Sequence, residues 1–293
     1  MIRAIDALTA AYRCAIWAID PRWLAASLRR LMLAPDESRE ARERMVKSSR
    51  PRSAVAVLPI TGPIQQKEDE FLYWFGGTAV DSFKRDFDAA LADPAVKTIL
   101  MDVDSPGGSV YGVGEVAEHI RKSRGGSTRI VAQANSVAAS AAYHLAAQAD
   151  EFVVTPSGEV GSIGVFSLHL DHSKMLEEIG VKPTFIFAGK HKVEGNFYEP
   201  LSDEAREFEQ KRVDEYYSDF VWNVAKGRGT TPETVRNNFG QGRMFGAKDA
   251  KAAGMVDRIA TIEETLSRFG AATTAGASAA TKQRRLNQLM RSV

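Results

Sequence analysis

An α/β fold with parallel crossovers is predicted by three features of the sequence. Strand-length apolar runs alternate with segments of helical period over most of residues 54–269. Runs such as AVAVLPI at 54–60 and TILMDV at 98–103 read as strands buried in a sheet. The third feature is AQANSVAASAAYHLAAQAD at 132–150, set between expected strands at 128–131 and 151–154. Its second half reads as a helix of almost nothing but Ala, with Ser140 near its start. A helix of such small residues can lie very close to other backbone.

Taken in order, residues 5–33 read as two amphipathic helical segments broken at Asp20–Pro21. Residues 1–33 are therefore assigned to an N-terminal helical extension, packed on the domain or on a neighbouring subunit. A charged linker follows at 34–52, then the main domain at 53–270 and a low-complexity basic tail at 271–293. Within the domain, the strand at 54–60 leads into a loop at 62–77 that carries Phe71, Tyr73, Trp74 and Phe75. Thr78 is expected to cap a helix to about Leu91, with Asp81 completing a capping box. A strand at 98–103 turns through DSPGG at 104–108 into a helix from about Val110 to Lys122.

After the Ala-rich unit come a strand at 160–166, a short helix at 171–179 closed by Gly180, and a strand at 184–188. Residues 189–200 form a polar loop. Ser202 opens a long helix to about Lys226, with Phe208, Val213, Tyr216, Tyr217, Phe220, Val221 and Val224 on its buried side. Thr231–Pro232 starts another helix. A strand near 243–245, a helix at 247–253, a strand at 255–259 and a helix at 262–269 complete the domain.

The 38 basic and 37 acidic residues leave a net charge of +1, so no global field argues for nucleic acid or a membrane surface as partner. The single cysteine, Cys14, excludes an internal disulfide framework and fits a reducing compartment. No long uncharged apolar run of membrane-spanning length is present, and Arg13, Asp20 and Arg22 interrupt what would be an export signal. The chain reads as soluble and cytoplasmic. It lacks a Walker loop, a dinucleotide fingerprint, a zinc-ligand cluster and an HExxH sequence, so neither cofactor nor metal is expected.

Each remaining signal is weak by itself. A Ser in an Ala-rich helix is usually there for its size, a DSPGG turn needs only the freedom of Gly, and a loop Lys is usually a solvated charge. Together they say more. DSPGG at 104–108, SVAASAAY at 136–143, GSIGV at 161–165 and GKHK at 189–192, with GRGTTPE at 227–233 and GRMFGAKDAKAAGMVD at 242–257, resemble the signal peptide peptidase A family of serine peptidases, within the Clp protease/crotonase superfamily. The resemblance covers about residues 55–269. It implies the superfamily fold of repeated β-β-α units, and a Ser-Lys dyad with Ser140 as nucleophile and Lys192 as general base. Ser162 corresponds to the serine that orients the lysine. The N–H groups of Gly107 and Ala141 correspond to the oxyanion hole.

The chemistry such a family requires is coherent. A serine hydroxyl attacks only when a base takes its proton, and a lysine can do so only with its pKa brought towards roughly 7–8 in a water-poor pocket. Two departures from the cellular members stand out. Ala141–Ala142 replaces Gly-Gly after the nucleophile, and no membrane anchor is visible. Both resemble the phage branch, the lambda-like prohead proteases, as does WAIDPRWLAASL at 17–28. That branch implies protein substrates such as scaffold, portal or capsid proteins, and a homo-oligomer. Residues 271–280 are then a candidate self-cleavage segment, and the crowded Ala-rich surroundings favour a small side chain before the scissile bond. Three other readings stay open: a Ser-His-Asp peptidase using His169 or His172 with Asp150 or Asp171, an acyl-CoA enzyme of the crotonase type, and a catalytically silent assembly protein.

Overall fold

A computed structural model describes residues 16–19, 54–68, 72 and 76–270. The linker 34–52, the tail 271–293, the loop aromatics Phe71, Tyr73, Trp74 and Phe75, and most of the expected N-terminal helix lie outside the described residues.

The centre is a mixed sheet of seven strands, chiefly parallel. β2 (Val55–Thr61), β5 (Thr98–Ser105), β7 (Arg129–Ala139), β8 (Glu151–Val154), β9 (Glu159–Gly161), β10 (Met244–Gly246) and β11 (Arg258–Ile259) compose it. The order is β10-β9-β7-β5-β2, and β8 branches from β7 to carry β11. β2, β5 and β7 are parallel neighbours, and only β10 runs antiparallel, against β9. Their central side chains, Ile99, Leu100, Met101, Ile130, Val131 and Ala132, are fully buried. That is why these strands read as unbroken apolar runs.

A smaller sheet, in the order β1-β6-β3-β4, lies beside the carboxyl ends of those strands. It is built from β1 (Trp17–Ile19), β6 (Gly107–Ser109), β3 (Ile64–Gln65) and β4 (Thr78–Ala79). Two expectations are corrected here. Trp17–Ile19 is a strand rather than part of a helix, because its backbone pairs antiparallel with β6. The DSPGG turn does not run directly into a helix either. Gly107–Ser109 is a strand first, and the helix, α2, begins only at Val113 (Val113–Lys122). Gly108 permits this, since a Cβ there would overlap the backbone of Ile64 across the sheet.

Helix α1 (Val80–Ala92) buries Val80, Phe83 and Phe87 as its periodicity predicts. Its cap is not the expected one. Thr78 stays in β4, where its Oγ1 accepts from Thr61 N at 2.9 Å and donates to Thr61 O at 3.0 Å. The hydroxyl thus serves the sheet, and Ala79 opens the helix without a side-chain cap. In α3 (Ala141–Ala146) all six residues are buried, so the helix packs with its backbone close to α2, β5 and β6.

Beyond Gly161 the expected strands at 160–166 and 184–188 do not form. Only Glu159–Gly161 is a strand, Phe166 makes an isolated bridge, and 184–188 has no ladder partner. β-Branched and aromatic side chains favour a strand only when there is a sheet to join. Here Ile186 is 99% and Phe187 50% exposed. Between them lies α4 (Ser173–Glu178), followed by Gly180 at positive φ, as expected.

Helix α5 (Asp203–Arg228) is capped by Ser202, whose hydroxyl accepts from Ala205 N. Its second half packs most: Phe220, Val221, Val224 and Ala225 are buried, Val213, Tyr216 and Tyr217 are half-buried, and towards the other end Ala205 is buried but Phe208 is 59% exposed. The sequence expectation for Phe208 is therefore corrected: its side chain faces solvent. Helices α6 (Pro232–Asn238), α7 (Ala247–Ala252) and α8 (Ile262–Arg268) follow in the expected places. Thr231 caps α6, and a capping box of Thr261 and Glu264 starts α8.

Two carboxylates tie the later chain to the sheet. Asp257 receives the backbone N–H of Phe152 and a fork of two bonds from Arg228. Burial raises its pKa, but those hydrogen bonds outweigh burial and leave it lowered. Glu151 meets Arg129, Arg258 and Arg268, and again these partners outweigh the effect of burial. Lowered folded-state values mean stability that is full above the ordinary carboxylate range and lost as pH falls through the folded pKa. Glu151→Gln is expected to cost about 1–3 kcal/mol near neutral pH and to flatten the acid limb of a melting-temperature series.

Candidate active site

Topology brings the site together. β5 and β7 are adjacent and parallel, with Ser105 opposite Ala138, so the chains leaving their carboxyl ends meet. One departure carries Gly107 and the other carries Ser140. Ligand sites in parallel sheets form at this end of the strands.

Ser140 is the single residue between β7 and α3, with φ 54° and ψ −118°. This is a costly conformation for a residue with a Cβ, typical of a sharp strand-to-helix turn that presents a nucleophile. Two hydrogen bonds hold it: Ser140 N donates to Gly161 O at 2.7 Å, and His144 N donates to Ser140 O at 2.9 Å. The side chain is fully buried, and Oγ has no hydrogen-bond partner among the described residues. A desolvated hydroxyl on a strained backbone is poor design for stability.

Gly107 lies directly against it. Its φ is +95°, and a Cβ added there would stand 2.8 Å from Ser140 Cβ and 3.0 Å from Ala139 O, besides overlapping Ala18 O. Its N–H donates to Ser105 Oγ at 3.2 Å, and that hydroxyl donates to Gly62 O at 2.6 Å. Ala141 opens α3, so its N–H is among those left unpaired within the helix at its N-terminus. Ser162 follows Gly161, whose carbonyl receives Ser140 N, and it also has a positive φ, of 54°. Its own N–H donates to Arg243 O at 2.8 Å. The structure thus collects Ser140, Gly107, Ala141 and Ser162 in one place.

Lys192 stands apart. It occupies an exposed turn at 190–195 and makes no hydrogen bond to Ser140 in the protomer. The histidines of the competing triad make no hydrogen bond to Ser140 either. His169 Nε2 contacts Glu199 O, Asp171 accepts from Ser173 N, and Asp150 accepts from Ile130 N and pairs with Arg124. His144, one turn beyond Ser140, stacks on Phe220 at 4.5 Å, and burial lowers its pKa to about 3. It is a neutral core residue. Sequence reasoning missed Ser105, Gly161 and Ala18 as parts of the site. All three lie in stretches already singled out, but only the pairing of Trp17–Ile19 with β6 brings Ala18 here. A surface trio of His191, Glu194 and Glu204 could meet a cation in principle, but all three are exposed.

Residues 123–275 match the model of peptidase family S49. The chain is 31% identical over 240 residues to the Head-tail preconnector protein GP5 of Enterobacteria phage P21, covering 80% of this chain and 47% of that protein. It is 32% identical over 216 residues to the Capsid assembly protease C of Escherichia phage lambda, covering 74% and 48% respectively. Protease 4 of Salmonella typhi is 30% identical over 193 residues, 66% of this chain and 30% of that protein. The chain thus spans about half the length of the two phage relatives. Among the described residues no helix is long and apolar enough to cross a membrane. With a family match over half its length that includes the strand, turn and helix around Ser140, the chain belongs to peptidase family S49.

Proposed function

We propose that the protein is a serine endopeptidase that processes phage head proteins, working through Ser140 and Lys192. The observation that carries the reading is Ser140 itself: strained, buried, unpaired at Oγ and packed on Gly107. In this reaction the Lys192 amine takes the Ser140 proton as Oγ adds to the scissile carbonyl. The N–H groups of Ala141 and of Gly107, the latter released from Ser105 Oγ, donate to the oxyanion. The amine then protonates the leaving nitrogen, and water releases the acyl group. Ser162 orients the lysine. The names of the two phage relatives support a capsid-assembly role.

Lys192 must move to reach Ser140, and assembly supplies a reason for it to do so. The stretch bearing it exposes Ile179, Val181, Ile186 and Phe187, and Phe208 follows nearby on α5. Such a set of apolar side chains is suited to burial against another copy of the chain. We therefore read the working form as a homo-oligomer in which that stretch is ordered over an active site.

The test incubates wild type, Ser140→Ala and Lys192→Ala with candidate phage head proteins and follows the products. Lys192→Ala is expected to lower cleavage by about 10^2- to 10^4-fold. Activity regained on mixing the two inactive variants would place Ser and Lys on different subunits. Full activity of Lys192→Ala would sink the dyad and favour a histidine base. An inert wild type that also resists a serine-directed probe would favour a silent assembly protein.

A further inference from the structure

The edge of β6 nearest Ser140 is already occupied by the chain's own N-terminal segment. β1 pairs antiparallel with β6 in the register Trp17↔Ser109, Ala18↔Gly108 and Ile19↔Gly107. On its other side Trp17 exchanges two backbone hydrogen bonds with Phe166, at 2.9 and 3.0 Å. Ile16, Trp17, Ala18 and Ile19 are each at most 3% exposed, although residues 20–53 separate them in sequence from the rest of the domain. The Ala18 carbonyl lies against the Gly107 α-carbon, on the glycine that touches Ser140.

A peptide that is to be cut must bring a carbonyl to Ser140 Oγ and to the Gly107 N–H. An extended backbone can do so by adding as a strand to β6, the usual way for a peptide to satisfy an open sheet edge. β1 already fills that position, and Ser140 has no exposed surface. We propose that residues 16–19 form an intramolecular strap that lies in the substrate channel and must lift before a substrate can enter. The proposal rests on the reading of Ser140 as the nucleophile. It identifies the ligand of the channel as an extended peptide bound by backbone pairing between β6 and Phe166, with apolar side chains at the positions of Trp17 and Ile19.

The test uses the full chain as wild type, Trp17→Ala, Ile19→Ala and Ser140→Ala. Labelling by a fluorophosphonate is timed, and amide exchange is followed at Gly107–Ser109 and in the central strands. The expected result is labelling of both strap variants at least about tenfold faster than wild type, because truncating a buried anchor favours the lifted state. Amides of β6 should lose protection while those of β5 and β7 keep it. Ile19→Ala removes fewer atoms and serves where Trp17→Ala folds poorly. Wild type labelled as fast as both variants, with β6 deprotected only in the variants, would overturn the strap and leave the nucleophile standing. No labelling in any variant would remove the nucleophile and the strap with it. Unfolding of both variants also overturns the strap, because such a segment must be able to lift without loss of the domain.

Discussion

Ser140→Gly is expected to be inactive and more stable than the wild-type protein. Loss of the hydroxyl removes the proposed nucleophile, a change worth at least about ten-thousand-fold in turnover when a triad or dyad serine is deleted. Stability moves the other way. A non-glycine residue in so unusual a backbone conformation costs about 1–3 kcal/mol, and a buried hydroxyl without a partner costs a comparable amount. Glycine removes both penalties and gives back about 0.5–1 kcal/mol through the greater freedom of the unfolded chain. A net gain of about 1–5 kcal/mol should raise the melting temperature by several degrees or more. Ser140→Ala should gain less, because alanine removes the hydroxyl but keeps the Cβ that causes the strain. The order Gly, Ala, Ser in thermal stability, against activity in Ser alone, is read by paired melting and cleavage assays. A Ser140→Gly protein that melts below wild type would mean that the turn is not strained.

Gly107→Ala has the second large effect, and here activity and stability fall together. The new methyl would meet Ser140 Cβ, Ala139 O and Ala18 O while the backbone sits at φ +95°. Relief requires the Gly107 peptide to move, which takes its N–H away from the proposed oxyanion position. Loss of one such donor costs about 2.7–4 kcal/mol of barrier. The clash adds about 1–3 kcal/mol of destabilisation. Gly125→Ala is the control, with φ +74° but no heavy atom within 4 Å of the added methyl. It should show only a modest cost in melting temperature and unchanged cleavage. Equal effects at the two positions would show that Gly107 is needed for its backbone angle and not for its closeness to Ser140.

Much of this arrangement was legible from the residues. The runs at 54–60 and 98–103 could be read as strands because a central parallel sheet buries both faces of each. The caps at Ser202 and Thr231 carry their own chemistry, and so does the Ala-rich helix at 141–146. Ser140, Gly107, Ala141 and Ser162 come from ordered motifs, and they lie together because each motif sits where a strand of the sheet ends. Reading failed where structure depends on a distant partner. Trp17–Ile19 has a helical pattern of apolar residues, and only the edge of β6 makes it a strand. The segment 184–188 has the composition of a strand but finds no ladder to join. Thr78 has the look of a helix cap, yet the backbone of Thr61 competes successfully for its hydroxyl. Lys192 is named by its motif, but nothing local fixes its path to the serine.

The pairing of β1 with β6 also sets how occupancy of the channel scales. Because guest and host are one molecule, dilution leaves the closed fraction unchanged, whereas any separate peptide must compete by mass action. Tethered segments of this kind correspond to effective concentrations on the order of millimolar. If residues 16–19 act as the proposed strap, a peptide of equal affinity would have to be crowded to a similar density to displace them.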